Sequence, residues 1–444
     1  MNIKEQVLNY KADMIKDLET LVSYNSVMSN DSEYPFGLEN AKCLDTALEM
    51  MTKYGLKTTN LDYYAGFGEV GTGDEVIGIL GHLDVVPATG NWLSDPFTLT
   101  QRDNKLFGRG SSDDKGPVIA SLYALRILID NNVEFNKKVR LIVGSNEENG
   151  SKCLDYYVEK EGHINYGFTP DGSFPGIHGE KGIIHALASF NDTKIISIKG
   201  GFAYNVVCDN VEIVIENDSF DLNKFDEYVK NNELNYHIDK TDNTKITFLG
   251  VAGHASTPEV GKNAISHLMQ ALAYSGYQDE FVNYYNDNVG LYTDGTNAGV
   301  KCNDEFGDLT FSIGMINKVD DKITFTIDIR YPVTLDGDTI IKKLNNKFNL
   351  SDVGTSKPLY FPKDHPMIVS LVSAYQKVTN DYDSKLQVIG GGTYSKGINN
   401  CIAFGGDFND ENTNIHDANE FIKIDNLLLQ TEIYVEAILN LLAI

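Results

Sequence analysis

Hydrophobic and polar residues follow two different periods along this chain. Over Asp13 to Tyr24 and Leu38 to Tyr54, apolar residues recur every three to four positions, which predicts two helices. The runs VIGIL (Val76 to Leu80) and VRLIV (Val139 to Val143) are short, β-branched and bounded by glycine or charge, which predicts strands. Between them, Pro117 to Asp130 reads as a helix with proline at its start, where a missing N–H costs nothing. Helices and strands in alternation predict an α/β layer around a mostly parallel sheet. Ligands of such sheets gather at the carboxyl ends of the strands.

The middle of the chain changes style. Ile195 to Lys199, Val211 to Ile215, Lys245 to Leu249, Leu309 to Ile316 and Lys322 to Arg330 read as strands. They are mixed with helices near Asn263 to Ser275 and Thr339 to Phe348. Stronger alternation here predicts an α+β unit whose sheet has one face in water. The tail returns to the first style, with a helix from Pro366 to Asn380, a glycine-rich turn and a closing helix from Asp425 to Leu442. The pattern therefore predicts one α/β domain interrupted by an α+β insertion.

Composition narrows the class. At roughly 150 residues per domain, 444 residues make two or three. A hydrophobic share of 42% with 23% charged residues belongs to a globular chain and excludes wholesale disorder. The 37 basic against 63 acidic residues leave a charge of −26, which argues against nucleic acid and anionic membrane surfaces as partners. The first residues carry charges every few positions and lack the apolar stretch of a signal peptide. The most apolar run, Pro117 to Ile129, is too short to span a bilayer and contains Arg126. Five scattered cysteines without a CxxC pair predict reduced, buried thiols and hence a cytoplasmic location.

Candidate chemistry lies in the loops that follow these elements. Gly81-His82-Leu83-Asp84 directly follows VIGIL, and side chains two apart on a strand share a face, so His82 and Asp84 emerge together. GRGSSDDKGP (108 to 117) sets Asp113 and Asp114 ahead of the apolar helix. An acidic helix cap and a ligand pair both fit it. A phosphate loop does not, because GxxxxGK followed by Ser or Thr is missing. GSNEENG (144 to 150) follows VRLIV and holds Glu147 and Glu148, neighbours that point in different directions. Asp171 lies in TPDG and His416 in NIHD. Together His82, Asp113, Glu148, Asp171 and His416 form an oxygen- and nitrogen-donor set without thiolate, which suits Zn²⁺, Mn²⁺ or Co²⁺ as hydrolytic ions. Three carboxylates and one hydroxide also balance two divalent cations.

The order and wording of these motifs resemble the M20 metallopeptidase family and, within it, the PepV-like dipeptidases. The matching stretches are GHLDVVP (81 to 87), GRGSSDDKGP (108 to 117), NEENG (146 to 150), TPDGSFPGIHGEKG (169 to 182), GHASTPEVGKNA (253 to 264) and GGGTY (390 to 394). They span nearly the whole chain. The resemblance implies two divalent ions, Zn²⁺ first, with Mn²⁺ or Co²⁺ as alternatives. His82 and Asp171 would hold one, Glu148 and His416 the other, and Asp113 would bridge them, with a cis peptide between Asp113 and Asp114. It implies Asp84 as the residue that orients His82, Glu147 as general base toward a water shared by the ions, and His254 as oxyanion donor. Asn205, Arg330 and the backbone of Gly391, Gly392 and Thr393 would hold the substrate, Arg330 by forking onto a free carboxylate.

On this resemblance, residues 1–181 and 363–444 form the catalytic α/β domain with its mostly parallel central sheet. Residues 182–362 form an α+β lid, long enough to favour a monomer. The expected substrates are dipeptides and other very short peptides. Two positions depart from the family's wording. Cys208 stands where relatives carry proline, and Ser395-Lys396 where they carry Ala-Arg. A lysine does not reproduce a guanidinium fork. Two rival readings are a deacylase of N-acyl amino acids or succinyl-diaminopimelate from the same family, and a noncatalytic acidic protein that binds cations. The second gives no reason for Glu147 to stand beside a complete ligand set.

Overall fold

The structure, a computed structural model, describes residues 2–31 and 33–444. The chain divides into two compact units. Unit 1 comprises residues 1–179, 361–387 and 392–444, and unit 2 comprises 180–360 and 388–391. Among the described residues no helix is long and apolar enough to cross a membrane.

Unit 1 is built on strands β1 (Lys57–Leu61), β2 (Ala65–Val70), β3 (Val76–His82), β4 (Lys138–Gly144) and β5 (Tyr166–Thr169), with Cys401–Ala403 beside β5. Their spatial order is β1-β2-β4-β3-β5 and then Cys401–Ala403. β3 runs parallel to β4 and to β5, and β5 runs parallel to Cys401–Ala403. β1 and β2 join antiparallel. The sheet is therefore mixed, and the expectation of a mostly parallel sheet holds only for its centre. The reason is connectivity: a short turn between β1 and β2 permits only antiparallel pairing, whereas parallel neighbours need a long crossover.

The apolar runs follow from burial on both faces. Ile77 and Ile79 of β3 and Val139, Leu141 and Val143 of β4 enter the larger core. Leu80 and Ile142 point into a smaller one with Leu154 and Tyr157. Strands covered on both sides read as near-continuous hydrophobic segments. The larger core is closed by α1 (Ile3–Val22), α2 (Leu38–Lys53), α3 (Lys115–Asp130) and the helices Pro366–Thr379 and Ile424–Leu442. α3 packs against α1, Ile424–Leu442 and β3, so it is apolar nearly all round. At the start of α3 the helix approaches β3 closely. A Cβ on Gly81 would lie 2.7 Å from Asp114 Oδ2, so only glycine leaves room there.

Unit 2 carries an antiparallel sheet in the order Asn235–Lys240, Thr244–Leu249, Asn210–Ile215, Ser197–Gly200, Ile316–Val319, Lys322–Tyr331, Gly182–Phe190 and Asn349–Ser356. Its core collects Ile184, Ala186, Ile323, Phe325, Ile327 and Ile329 from the sheet, and Leu268, Phe281 and Leu344 from helices. The helix expected over Asn263 to Ser275 runs Ala264–Tyr274, and the two outer residues are its caps. Asn263 accepts from the amides of Ile265 and Ser266, a short side-chain acceptor for otherwise orphaned donors.

Two expectations for this unit are corrected. The single strand read over Leu309 to Ile316 breaks into Thr310–Ser312 and Ile316–Val319. The hydroxyl of Thr326 accepts from the amides of Gly314 and Met315, which draws that segment out of the ladder. The sheet also does not keep one wet face throughout. In Lys322–Tyr331, Thr326, Asp328 and Arg330 face away from the apolar set and are buried nonetheless.

Candidate active site

The parallel register of unit 1 collects three of the motifs. His82 pairs with Gly144, and Ile79 pairs with Phe168, so β3, β4 and β5 end side by side. The segments leaving them carry Asp84, Glu147 with Glu148, and Asp171. Two loops from elsewhere reach the same place, the one before α3 with Asp113 and a late one with His416. The peptide between Asp113 and Asp114 is cis.

Asp113 is central. Its Oδ1 lies 2.9 Å from His82 Nε2 and its Oδ2 lies 2.9 Å from His416 Nε2. Asp171 Oδ2 is 4.0 Å from His82 Nε2, and Glu148 Oε1 is 3.2 Å from His416 Nε2. Two candidate ligand triads result, His82–Asp113–Asp171 and Asp113–Glu148–His416, each with donor atoms within 4.8 Å of one another.

The surroundings fit cations. His82 Nδ1 lies 3.0 Å from the carbonyl of Asp84, which can only accept, so the ring proton of neutral His82 sits on Nδ1. Nε2 then presents its lone pair to the cluster, as a metal ligand must. Burial, then the nearby charge of Asp113, raise the carboxyl of Asp171 to about 7. Burial likewise lifts Glu147 to about 8, aided by Asp171, Glu148 and Asp113 against the pull of His82. Hydrogen bonds to Asp113 and Glu148 raise His416 to about 10. For His82, burial opposes the charge, but Asp113 and Asp84 outweigh it and hold the ring well above its ordinary value. Burial opposes ionisation of Asp113 as well, yet bonds from His416 and His82 keep it below its ordinary value. Burial and crowding thus favour the protonated forms of Asp171 and Glu147 in particular.

Asp84 faces both His82 and the glutamate turn. Its carboxylate is 3.6 Å from His82 Nδ1, while it accepts the amides of Glu147 at 2.9 Å and Glu148 at 3.0 Å. It fixes the turn that carries both glutamates and meets His82 Nδ1 with its backbone carbonyl and, at longer range, its carboxylate. Sequence reasoning missed two groups. Asp114 stands at the start of α3 but makes no cap; its Oδ2 accepts the His82 amide at 3.1 Å. The Tyr394 ring lies edge-on to His82 at 6.1 Å, and its hydroxyl is 2.9 Å from Cys153 Sγ. The doubled aspartate and the tyrosine closing GGGTY were the available signals.

The remaining expected residues lie mostly in unit 2. His254 is bridged to Val206, and its neighbour Ala255 donates to the Asn205 carbonyl, so Asn205 and His254 sit on adjoining segments. Ser256 donates its amide to His254 Nδ1 at 3.2 Å, which leaves the ring proton on Nε2. Burial and then the charge of Arg330 lower the pKa of His254 and keep it neutral. Arg330 uses Nε and Nη2 on the buried carboxylate of Asp328, at 2.7 and 3.0 Å, and Nη1 on the Gly390 carbonyl at 3.0 Å. Its side-on fork is thus committed within the unit. Gly391 belongs to unit 2, whereas Gly392 and Thr393 belong to unit 1, where Thr393 caps the short helix Tyr394–Gly397. Cys208 is a buried thiol donating to the Asn210 carbonyl.

The family model for peptidase family M20/M25/M40 matches residues 78–440. The chain belongs to this family. It is therefore a peptidase and a hydrolase. "Putative dipeptidase SAB1611c" of Staphylococcus aureus is 35% identical over 466 residues, covering 99% of each chain. A protein of the same description from Staphylococcus haemolyticus is 34% identical over 465 residues, also covering 99% of each. Among solved structures, human carnosine dipeptidase 1 superposes with a TM-score of 0.62 at 15% identity, over 100% of this chain and 98% of that one. The dipeptidase Dug1p of Saccharomyces cerevisiae gives 0.60 at 13%, with the same coverage. These likenesses place the M20 chain in a known peptidase fold.

One consequence concerns pH. Without cations, Asp171, Glu147, His82 and His416 all bind more protons folded than unfolded near neutrality, so stability falls as pH rises from about 5 to about 8. Asp113, with its lowered value, acts only in more acid solution. Cations displace those protons, so the rise in Tm on adding Zn²⁺ to chelator-treated protein is expected to be larger near pH 8 than near pH 5. At a hundredfold excess over Kd, each site contributes about 2.7 kcal/mol. A Tm rise that shrinks with pH would contradict this electrostatic account.

Proposed function

We propose that this chain is a dipeptidase that works with two divalent cations, one on His82, Asp113 and Asp171, the other on Asp113, Glu148 and His416. The observation that carries the proposal is the shared aspartate: each oxygen of Asp113 faces a different histidine. Zn²⁺ suits the donors best, and Mn²⁺ and Co²⁺ also fit. Bound there, the ions supply Lewis acidity, which makes water acidic and polarises a peptide carbonyl.

The chain's own residues do the rest. Glu147, its backbone fixed by Asp84, takes the proton of the attacking water and returns it to the leaving amine. His254, with its proton on Nε2, donates to the carbonyl oxygen as charge develops. Arg330 meets the substrate carboxylate with the donors that Asp328 and Gly390 leave over, and Asn205 and the Gly391-Gly392-Thr393 backbone complete the hold on substrate. A longer peptide would bury a charge without its partner, which favours dipeptides. The same reading gives residues 1–181 with 363–444 the catalytic role and 182–362 that of a lid. It makes the protein a cytoplasmic monomer, consistent with its free cysteines. Relatives described as dipeptidases support the substrate class.

The decisive experiment compares turnover of Ala-Ala-type dipeptides with that of N-acetyl amino acids in the presence of Zn²⁺, Mn²⁺ or Co²⁺ singly. Dipeptides are expected to be hydrolysed faster, and faster turnover of the acylated compounds would make the chain a deacylase. Glu147→Ala should abolish hydrolysis while metal content stays near wild type. Unchanged hydrolysis would remove Glu147 as base. His254→Ala is expected to lower kcat by about 10²–10³-fold, the cost of one oxyanion donor. An unaltered kcat would exclude that role.

A further inference from the structure

Glu420 lies four positions beyond His416 and is not one of the ligand candidates. It and Arg109 are each 1% exposed. Its Oε2 accepts from Arg109 Nη1 at 2.7 Å and from the Gly110 amide at 3.0 Å. Its Oε1 accepts from the amides of Ser112 at 2.9 Å and Asp113 at 3.1 Å. One buried carboxylate thus engages three main-chain donors of the segment that ends at Asp113.

The backbone of Glu420 strengthens the tie. Its carbonyl accepts from the Gly108 amide at 3.0 Å, and Phe421 pairs with Phe107 in a small antiparallel ladder. Phe421 also donates to the Thr413 carbonyl at 3.1 Å, which closes the loop that contains His416. Ser112 Oγ meets Thr413 Oγ1 at 3.4 Å. The two segments that carry Asp113 and His416 are therefore joined at Glu420.

An apolar residue would be the cheaper way merely to fill this space, since desolvating a carboxylate and a guanidinium is expensive. What an apolar residue lacks is an acceptor for turn amides that have no main-chain partner among the described residues. Fixing the Asp113 amide fixes the Cα–Cβ direction from which its two oxygens reach the two histidines.

We propose that Glu420 is a positioning residue that sets the Asp113 carboxylate between its two histidines and holds the His416 loop in register with it. The proposal rests on the two-ion reading of the site. It is tested by Co²⁺ titration, followed by visible absorption, of wild type, Glu420→Gln and Glu420→Asp, with Tm recorded for each. Glu436→Gln is the control, since it removes a buried carboxylate paired with Lys377 that belongs to the closing helix.

Wild type is expected to take up two Co²⁺ per chain. Glu420→Gln, which turns an NH₂ toward amide donors, is expected to bind them 10–100-fold more weakly and with an altered absorption envelope. Its KM for a dipeptide should stay near wild type while kcat recovers with excess metal. Glu420→Asp keeps the charge opposite Arg109 but withdraws the oxygens by one methylene, and it serves where the glutamine variant does not fold; it should also weaken Co²⁺ binding. The proposal is overturned if a folded Glu420 variant binds Co²⁺ with wild-type affinity and absorption, or if the control loses as much affinity. Failure of wild type itself to take up two ions overturns the two-ion reading and this proposal together, and is recognised by appearing without any substitution.

Discussion

Mutual repulsion among carboxylates is the constraint around which unit 1 is arranged at its strand ends. Asp113, Glu148 and Asp171 converge with Glu147 beside them, in a place where burial has removed much of the screening by water. Two unit charges 4 Å apart interact by about 4 kcal/mol at an effective dielectric constant near 20. In the structure this repulsion is met by two histidines flanking Asp113, and burial with the neighbouring carboxylates raises Asp171 and Glu147 above their ordinary values. Divalent cations relieve the same repulsion more completely, which is how an otherwise costly cluster becomes a binding site.

Such a cluster stays together only if the backbone beneath each ligand cannot swing away. Three buried carboxylates outside the ligand triads meet that need. Asp114 accepts the amide of His82, Asp84 accepts those of Glu147 and Glu148, and Glu420 accepts that of Asp113. All three are at most 1% exposed. Each is bonded to main-chain N–H groups, which fixes the backbone beneath the ligands. Fold and chemistry meet here: the parallel register aligns the strand ends, and these anchors convert alignment into fixed donor positions.

Much of this was legible in the sequence. HxD after VIGIL and the doubled glutamate after VRLIV mark polar groups at the ends of buried strands, because an apolar run that stops at a histidine or glutamate has reached the strand's carboxyl end. Convergence of Asp113 with His416 is not encoded in any local pattern, since it depends on tertiary packing between distant loops, and only the resemblance to a family supplied it. The antiparallel edge was hidden because Lys57–Leu61 (KTTNL) is a largely polar edge strand with no apolar run to announce it. The commitment of Arg330 to Asp328 was available in TFTIDIR, where residues two apart share a face, but a strand-end arginine reads equally well as a free fork. The break at Gly314 depends on a hydroxyl from another strand, which periodicity along one strand does not reveal.

The most direct measurement is anomalous X-ray scattering from crystals of the protein grown with Zn²⁺, recorded on both sides of the zinc absorption edge. The account predicts two anomalous peaks about 3.5–4 Å apart, with Asp113 between them, His82 and Asp171 on one, and Glu148 and His416 on the other. A single peak, or two peaks with no common carboxylate, would contradict it.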